Sequence, residues 1–264
     1  MPEHFVVTID PVLVSLGPLA IRWYGLAYFV GFIIGLKIFE AVMRREAKLP
    51  NGVEPGDFLT WAVLGVIAGG RLGEVVFYRA DYYLAHPLEI LMVWKGGMAS
   101  HGGMIGLALA AVLWARRNGV SPARLFDAIV LGAPPGLFLG RLANFINQEM
   151  VGKAADVPWA VIFPVHDWMP RHPVQIYQAL TEGPLLFALV WLFPARRFPA
   201  GARAAFAMIV YGLLRTWTEV YRETDPGYLG DVGGLTNGQL LSLLLAAAGA
   251  ALLTWRLRAK RASA

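Results

Sequence analysis

The chain contains no cysteine. That excludes a disulfide, a thiolate metal site and a covalent cysteine intermediate of its own. Charge is scarce as well. Only 16% of the residues are Asp, Glu, Lys or Arg, against about 25% in ordinary soluble domains. No internal repeat and no low-complexity tract stands out, so a transporter built from inverted repeats gains no support. The N-terminal stretch has no basic n-region. Residues 1–20 carry Glu3 and Asp10, and their apolar run is broken by Pro11 and Pro18. A signal peptide is therefore not expected there; an extracytoplasmic tail before the first span is.

What is present is apolar. Mean hydropathy is +0.53, and 29 Gly, 17 Pro and nine Trp are spread over 264 residues. Gly, Pro and interfacial Trp are all more frequent in membrane helices than in soluble ones. A span needs about 20 mostly apolar residues to cross about 30 Å of hydrocarbon. Seven runs qualify: 23–43, 58–78, 97–115, 125–145, 174–193, 204–221 and 239–257. The third opens on a Gly-rich stretch with Ser100 and His101. The expected fold is all-α, a polytopic membrane protein of seven transmembrane helices. It forms one membrane domain over 1–264, with a small extracytoplasmic cap at 146–173.

The formal net charge is +5. The basic residues do not form one face, so no nucleic-acid partner is expected. They sit in short clusters between the apolar runs, which is the pattern of cytoplasmic loops. Arg44, Arg45 and Lys48 follow the first run. Arg116, Arg117 and Arg124 separate the third and fourth, and Arg196, Arg197 and Arg203 the fifth and sixth. Arg256, Arg258, Lys260 and Arg261 close the chain. The opposite loops hold fewer. The N-terminus is thus expected outside and the C-terminus inside. The loop 78–95, rich in Tyr, Trp and Pro, suits an interfacial segment.

Arg71, Glu74, Arg141, Arg215 and Glu219 fall inside these runs. A basic residue at the bilayer centre costs about 2.5–3.5 kcal/mol on insertion scales. Arg71 with Glu74, and Arg215 with Glu219, are spaced to pair on one helix face, and such pairing is the plain structural reading. Depth offers a second. With the orientation above, Arg71, Arg141 and Arg215 lie past the middle of outward-running spans, and Tyr24 and His101 lie at outer starts. One polar layer in the outer half of the bilayer is expected. Guanidinium groups match phosphate oxygens in a bidentate way, and the abundant phosphate at that depth is a lipid headgroup.

The most informative stretch is Gly140-Arg141-Leu142-Ala143-Asn144-Phe145-Ile146-Asn147-Gln148-Glu149-Met150-Val151-Gly152. It matches the pattern G-R-x-x-N-F-x-N-x-E-x-x-G at every fixed position. His101-Gly102-Gly103-Met104-Ile105-Gly106 matches H-G-G-x-x-G, and Arg22-Trp23-Tyr24-Gly25 matches R-W-Y-G. Tyr211, Arg215 and Glu219 follow at one-turn spacing. On these motifs the chain resembles the bacterial prolipoprotein diacylglyceryl transferases, from about Asp10 to Arg258. His172-Pro173-Val174-Gln175-Ile176-Tyr177 resembles a further box of that family, H-P-x-Q-x-Y-E. Gln178 stands where the family usually has Glu, which puts an essential acid at that position in doubt.

The resemblance implies transfer of a diacylglyceryl group from phosphatidylglycerol to the lipobox cysteine of a preprolipoprotein, forming a thioether and releasing glycerol 1-phosphate. No metal or organic cofactor is implied. The implied place is the bacterial cytoplasmic membrane, with the site facing the periplasmic leaflet. Arg141 and Arg215 would clamp the phosphate and Asn144 would add a hydrogen bond. His101 is the candidate base for the thiol proton, against the reading that it only bonds a neighbouring span. Glu219 would orient Arg215. Glu149 would pair with Arg141 or position headgroup hydroxyls. Tyr24, Gly102, Gly103, Gly152 and Tyr211 complete the expected lipid-binding set. Tyr24 also reads as an interfacial anchor, and the glycines as a packing face.

Other classes compete. An anion or organophosphate transporter also needs intramembrane Arg, but the inner halves of these runs carry almost no polar residues. An intramembrane serine protease needs a different context around Ser100. A metal-dependent phosphatidyltransferase needs paired aspartates, and Asp57 and Asp127 lie at inner ends.

Overall fold

The computed structural model describes residues 4–17, 19–223 and 234–262. Helices dominate: α1 (Trp23–Glu46), α2 (Phe58–Phe77), α3 (Ala80–Ala85), α4 (Ser100–Arg117), α5 (Pro122–Ile146), α6 (Val174–Leu180), α7 (Leu186–Leu192), α8 (Ala202–Glu219) and α9 (Asn237–Ala262). Among the described residues, four helical stretches are long and apolar enough to cross a membrane: Trp23–Glu46, Pro55–Phe77, Pro122–Ile146 and Asn237–Lys260. The architecture is that of an α-helical membrane protein. The other three expected spans are helical too, but they carry polar interruptions. α4 begins with Ser100-His101 and ends with Arg116-Arg117; α8 holds Arg203, Arg215 and Glu219.

The fifth expected span is not one continuous helix. α6 passes through a π turn, Thr181–Leu185, before α7 resumes. Pro184 lies inside that turn. It has no N–H to donate, and in a regular helix its ring would clash with the carbonyl four residues back, a cost of about 3 kcal/mol. The wider turn avoids that clash. α5 runs unbroken although Pro134-Pro135 lie in its interior.

The chain packs as two compact units, one of Met1–Phe39 with Asp127–Ala264 and one of Glu40–Phe126. In the first unit glycines bring helices together. A Cβ on Gly31 would lie 2.8 Å from the Gly136 Cα, and one on Gly132 would lie 2.7 Å from the Gly35 oxygen. Close approach through small residues is how membrane helices gain van der Waals contact. The start of α8 is capped from α5. The buried Asp127 carboxylate accepts the Gly201 N–H at 2.8 Å and the Ala204 N–H at 2.9 Å. This satisfies donors that a helix start leaves open. Asp127 is thus a structural cap in this unit.

The cap expected at 146–173 has its own small core of Val7, Val151, Val161 and Phe163, with Phe145 packed against it. The N-terminal tail joins it, which the sequence did not suggest. β1 (Phe5–Val6) pairs in parallel with β4 (Val161–Ile162), and β4 pairs antiparallel with β5 (Pro170–Arg171). A hairpin of β2 (Val12–Leu16) and β3 (Leu19–Arg22) then leads into α1. The helical fold therefore carries a minor β element.

In the second unit α2 packs on α4 along a glycine seam. A Cβ on Gly65 would lie 2.6 Å from the Gly106 oxygen, and one on Gly73 would lie 2.9 Å from the Gly102 Cα. Between them runs an elbow made of α3 and two 3-10 turns, Pro87–Leu91 and Val93–Lys95. Leu84, Leu88, Leu91 and Trp94 are exposed along it.

Candidate functional site

Two arginines of the first unit meet at Glu182. This carboxylate is fully buried in the π turn. Arg141 on α5 donates its Nε to Glu182 Oε2 at 2.9 Å. Arg215 on α8 places Nη1 3.5 Å from Glu182 Oε1, without hydrogen-bond geometry. One carboxylate thus holds two guanidinium groups from two different helices. The π turn carries the acid on an apolar run, and α5 and α8 bring the arginines to it.

Each arginine has further neighbours. Arg215 Nη2 lies 2.9 Å from Glu219 Oε2, one turn along α8. Glu219 also meets Arg222, which donates Nη1 to its Oε1 at 3.3 Å. Glu219 thus stands between Arg215 and Arg222. Arg141 Nη1 lies 3.5 Å from the Met150 sulfur, a weak acceptor. The hydroxyls of Tyr28 and Tyr211 lie close enough to act on the Arg141 charge. Tyr24 and Tyr28, one turn apart on α1, bring their hydroxyls within 3.3 Å of each other.

Glu149 was expected to pair with Arg141 or to position headgroup hydroxyls. Arg141 pairs with Glu182 instead. Asn144 and Asn147 each donate a side-chain N–H to Glu149, at 3.1 and 3.2 Å, and Gln175 donates to its backbone carbonyl at 2.7 Å. The carboxylate is held by amides and stays exposed. On either side, Gln148 and Met150 adopt positive φ, 58° and 54°. Non-glycine residues in that region are strained and cluster at functional sites. Gln148 secures the turn by bonding the Val7 carbonyl at 3.2 Å and the Val165 N–H at 2.9 Å.

Gly152 cannot be larger. A Cβ there would press on the His172 Cβ at 2.8 Å, and the Gly152 carbonyl accepts Arg171 Nη1 at 2.9 Å. Arg171 also pairs with Asp167 and with Glu223. The Arg171 hydrogen bonds to Asp167 hold its carboxyl down at about 2. Burial pushes the neighbouring His172 imidazole down as well. Gln178 is fully buried, and neither atom of its amide has a hydrogen-bond partner among the described residues.

The structure therefore brings Arg141, Asn144, Glu149, Tyr211, Arg215 and Glu219 into the first unit, beside Tyr24 and Gly152. His101, Gly102 and Gly103 belong to the second unit. His101 is exposed on the first turn of α4. Gly102 packs in the α2–α4 seam, while Gly103 meets nothing nearer than Val66, at 3.5 Å.

Arg71 does not pair with Glu74. Its guanidinium is buried and donates to backbone carbonyls of the elbow: Ile90 at 2.9 Å, Gly96 at 2.6 Å, Gly97 at 3.2 Å, Met92 at 3.3 Å, and Glu89. Its charge also sits 4.9 Å over the Tyr83 ring. Glu74 instead faces Arg79 at 3.7 Å. The reason is geometric. A five-donor fork can serve several backbone carbonyls of the elbow at once, which one carboxylate on its own helix does not match.

Glu182 was missed from sequence. The signal was present, an acid within the fifth apolar run. Among the described residues, no group of three or more His, Cys, Asp or Glu side chains could hold a metal ion.

Comparison with known proteins agrees with the motifs. Residues 11–255 match the family model described as prolipoprotein diacylglyceryl transferase. A phosphatidylglycerol--prolipoprotein diacylglyceryl transferase of Nitrosomonas europaea is 48% identical over 254 residues, covering 94% of this chain and 90% of the relative. Proteins of the same name from Azoarcus sp. and Rhodospirillum rubrum are also 48% identical. They cover 92% and 96% of this chain, and 94% of each relative.

Proposed function

The chain belongs to the prolipoprotein diacylglyceryl transferase family, and from that premise we propose that it moves the diacylglyceryl group of phosphatidylglycerol onto the lipobox cysteine of a preprolipoprotein. The cysteine sulfur attacks the glycerol carbon that bears the phosphate. A C–S bond forms as the C–O bond breaks. The thiol gives up its proton, and glycerol 1-phosphate leaves with the C–O electron pair.

The observation that carries this reading is the bridge of Arg141 and Arg215 through Glu182. The leaving phosphate gains negative charge in the transition state. Donors already fixed in a site of low dielectric stabilise that charge without reorganising. Glu182 keeps two guanidinium groups adjacent in the absence of substrate, and the phosphate takes their remaining N–H groups. Asn144 supports Glu149, whose exposed carboxylate accepts hydrogen bonds from the headgroup hydroxyls. Tyr24 and Tyr211 complete the polar wall. A lipobox thiol has an ordinary pKa of about 8.5 and needs a base or a positive field to ionise. His101 is proposed as that base, on the strength of its motif and of imidazole chemistry near neutral pH.

The proposed setting is the bacterial cytoplasmic membrane, crossed seven times, with the N-terminus and the 146–173 cap periplasmic and the C-terminus cytoplasmic. The positive clusters that follow α1, α4 and α7, and those that end α9, support this orientation.

Purified protein should convert a lipobox peptide with phosphatidylglycerol to a diacylglyceryl thioether and free glycerol phosphate, with a metal chelator present. Folded protein that forms no thioether in that assay would overturn the proposal.

A further inference from the structure

Two proline-bearing helical segments meet in the first unit. α5 carries Pro134-Pro135 in its interior, and the fifth apolar run opens into the π turn with Gly183-Pro184. π turns are rare and recur at functional sites. Part of this one is explained by Glu182. The prolines are not explained by the arginine clamp. Together the two segments border an open groove of about 260 Å³, lined by Ile38, Pro134, Pro135, Phe138, Pro184 and Phe187. Every lining residue is apolar. Gly183 completes it, and a Cβ there would sit 2.6 Å from the Phe138 Cβ.

Residues that line the groove lie close to the clamp along the chain. Gly183 follows Glu182 in the chain. Phe138 precedes Arg141 by one turn of α5, about 4.5 Å along the axis, and Pro134 by two turns, about 10 Å. The groove's α5 residues thus lie one to two turns from Arg141, toward the middle of a helix long enough to span a membrane.

We propose that this groove holds one acyl chain of the lipid whose phosphate the clamp binds, an inference that rests on the function proposed above. Headgroup and chain then lie in the order a lipid requires, phosphate at the arginines and hydrocarbon deeper. A peptide suits the groove less well. A helix is about 10–12 Å across with its side chains, and an extended peptide would leave backbone N–H and C=O groups unpaired against an apolar wall. A hydrocarbon chain has no such groups.

The groove acts by shape. A chain that leaves the bilayer for an apolar groove gains little hydrophobic energy, because lipid tails are already apolar. Its contribution is positioning. A chain held along α5 fixes where the glycerol carbons lie relative to Arg141, and small misplacements of a reacting atom cost much rate. The groove is then a determinant of chain selectivity.

The test uses full-length protein in nanodiscs with phosphatidylglycerol carrying a photoreactive diazirine at mid-chain. Adducts should concentrate on Ile38, Phe138 and Phe187, several-fold above those from phosphatidylcholine bearing the same group. Equal labelling by the two lipids would show ordinary bilayer contact and overturn the proposal. Loss of the adducts on adding a lipobox peptide, without turnover, would assign the groove to the peptide and overturn it as well. Ile38→Trp, which fills the groove, should lower the ratio of kcat/KM for long-chain over short-chain phosphatidylglycerol several-fold; an unchanged ratio in folded protein counts against the groove alone. If wild-type protein transfers nothing from any phosphatidylglycerol, it is the underlying function that fails.

Discussion

Glu182 is the residue on which the site turns. It is fully buried and has guanidinium groups on both sides. Removing one partner of a buried ion pair typically costs about 3–5 kcal/mol, because the remaining charge is left uncompensated. Glu182→Ala should therefore lower thermal stability markedly and abolish transfer; a variant with the wild-type melting temperature and turnover would show that the arginines need no bridge. Arg141→Lys tests the clamp itself. Lysine keeps the charge but loses the planar fork, and the Nε bond to Glu182 cannot form. Turnover should fall by a factor on the order of 10² or more, measured as thioether formed per enzyme. Arg141, Arg215 and Glu219 were legible as candidates because charges inside apolar runs are expensive. Glu182 stands in the same situation but belongs to no quoted motif, and only the structure shows what it touches.

At the scale of elements, two glycine-rich features separate. The His101–Gly106 stretch is expected to bind lipid, yet Gly102 and Gly106 face α2 through Gly65, Gly69 and Gly73. If Gly102 acts by packing, Gly73→Ala and Gly102→Ala should both destabilise the protein, by about 1–3 kcal/mol each, with activity falling in parallel. Loss of transfer in Gly102→Ala at an unchanged melting temperature would return Gly102 to the substrate. Arg71 acts on a different element. It ties α2 to the elbow through five backbone carbonyls. Lysine offers three donors in place of five, so Arg71→Lys should raise amide hydrogen exchange in the segment that carries those carbonyls while sparing α4. Uniform exchange in the two proteins would remove the clasp. The spacing of Arg71 and Glu74 suggested a pair. Helical spacing shows which groups are able to meet; it does not show a competing set of carbonyls supplied by a turn some twenty residues later.

For the molecule as a whole, pH dependence should enter through the cap. Asp167 lies well below its ordinary value of 3.8, at about 2, because Arg171 bonds its ionised form. A carboxyl depressed in the folded state stabilises above its unfolded pKa and loses that contribution as pH falls through the folded one. The cap should therefore be stable at pH 5 and loosen between about pH 4 and 2. His172 adds in the same direction and at higher pH, since its buried neutral form must be protonated as acid is added. Near-ultraviolet circular dichroism across that range reads the loss through Trp159 and Trp168, and Asp167→Asn should flatten it; an identical acid profile in that variant would exclude the Asp167–Arg171 pair as the cause.

The sequence by itself determined the class of the molecule. Scarce charge, long apolar runs and clustered basic residues follow from the energetics of hydrocarbon, which acts on each segment separately and so can be read locally. Its motifs determined the family for the same reason, since they are short strings whose chemistry depends on residue type. The tertiary structure decided the partnerships. Glu182 rather than Glu149 bridges Arg141, backbone carbonyls rather than Glu74 hold Arg71, and the fifth run opens into a π turn beside Pro134-Pro135. Each of these compares a local option with one supplied from a distant part of the chain, and such long-range competition is settled only when the helices pack.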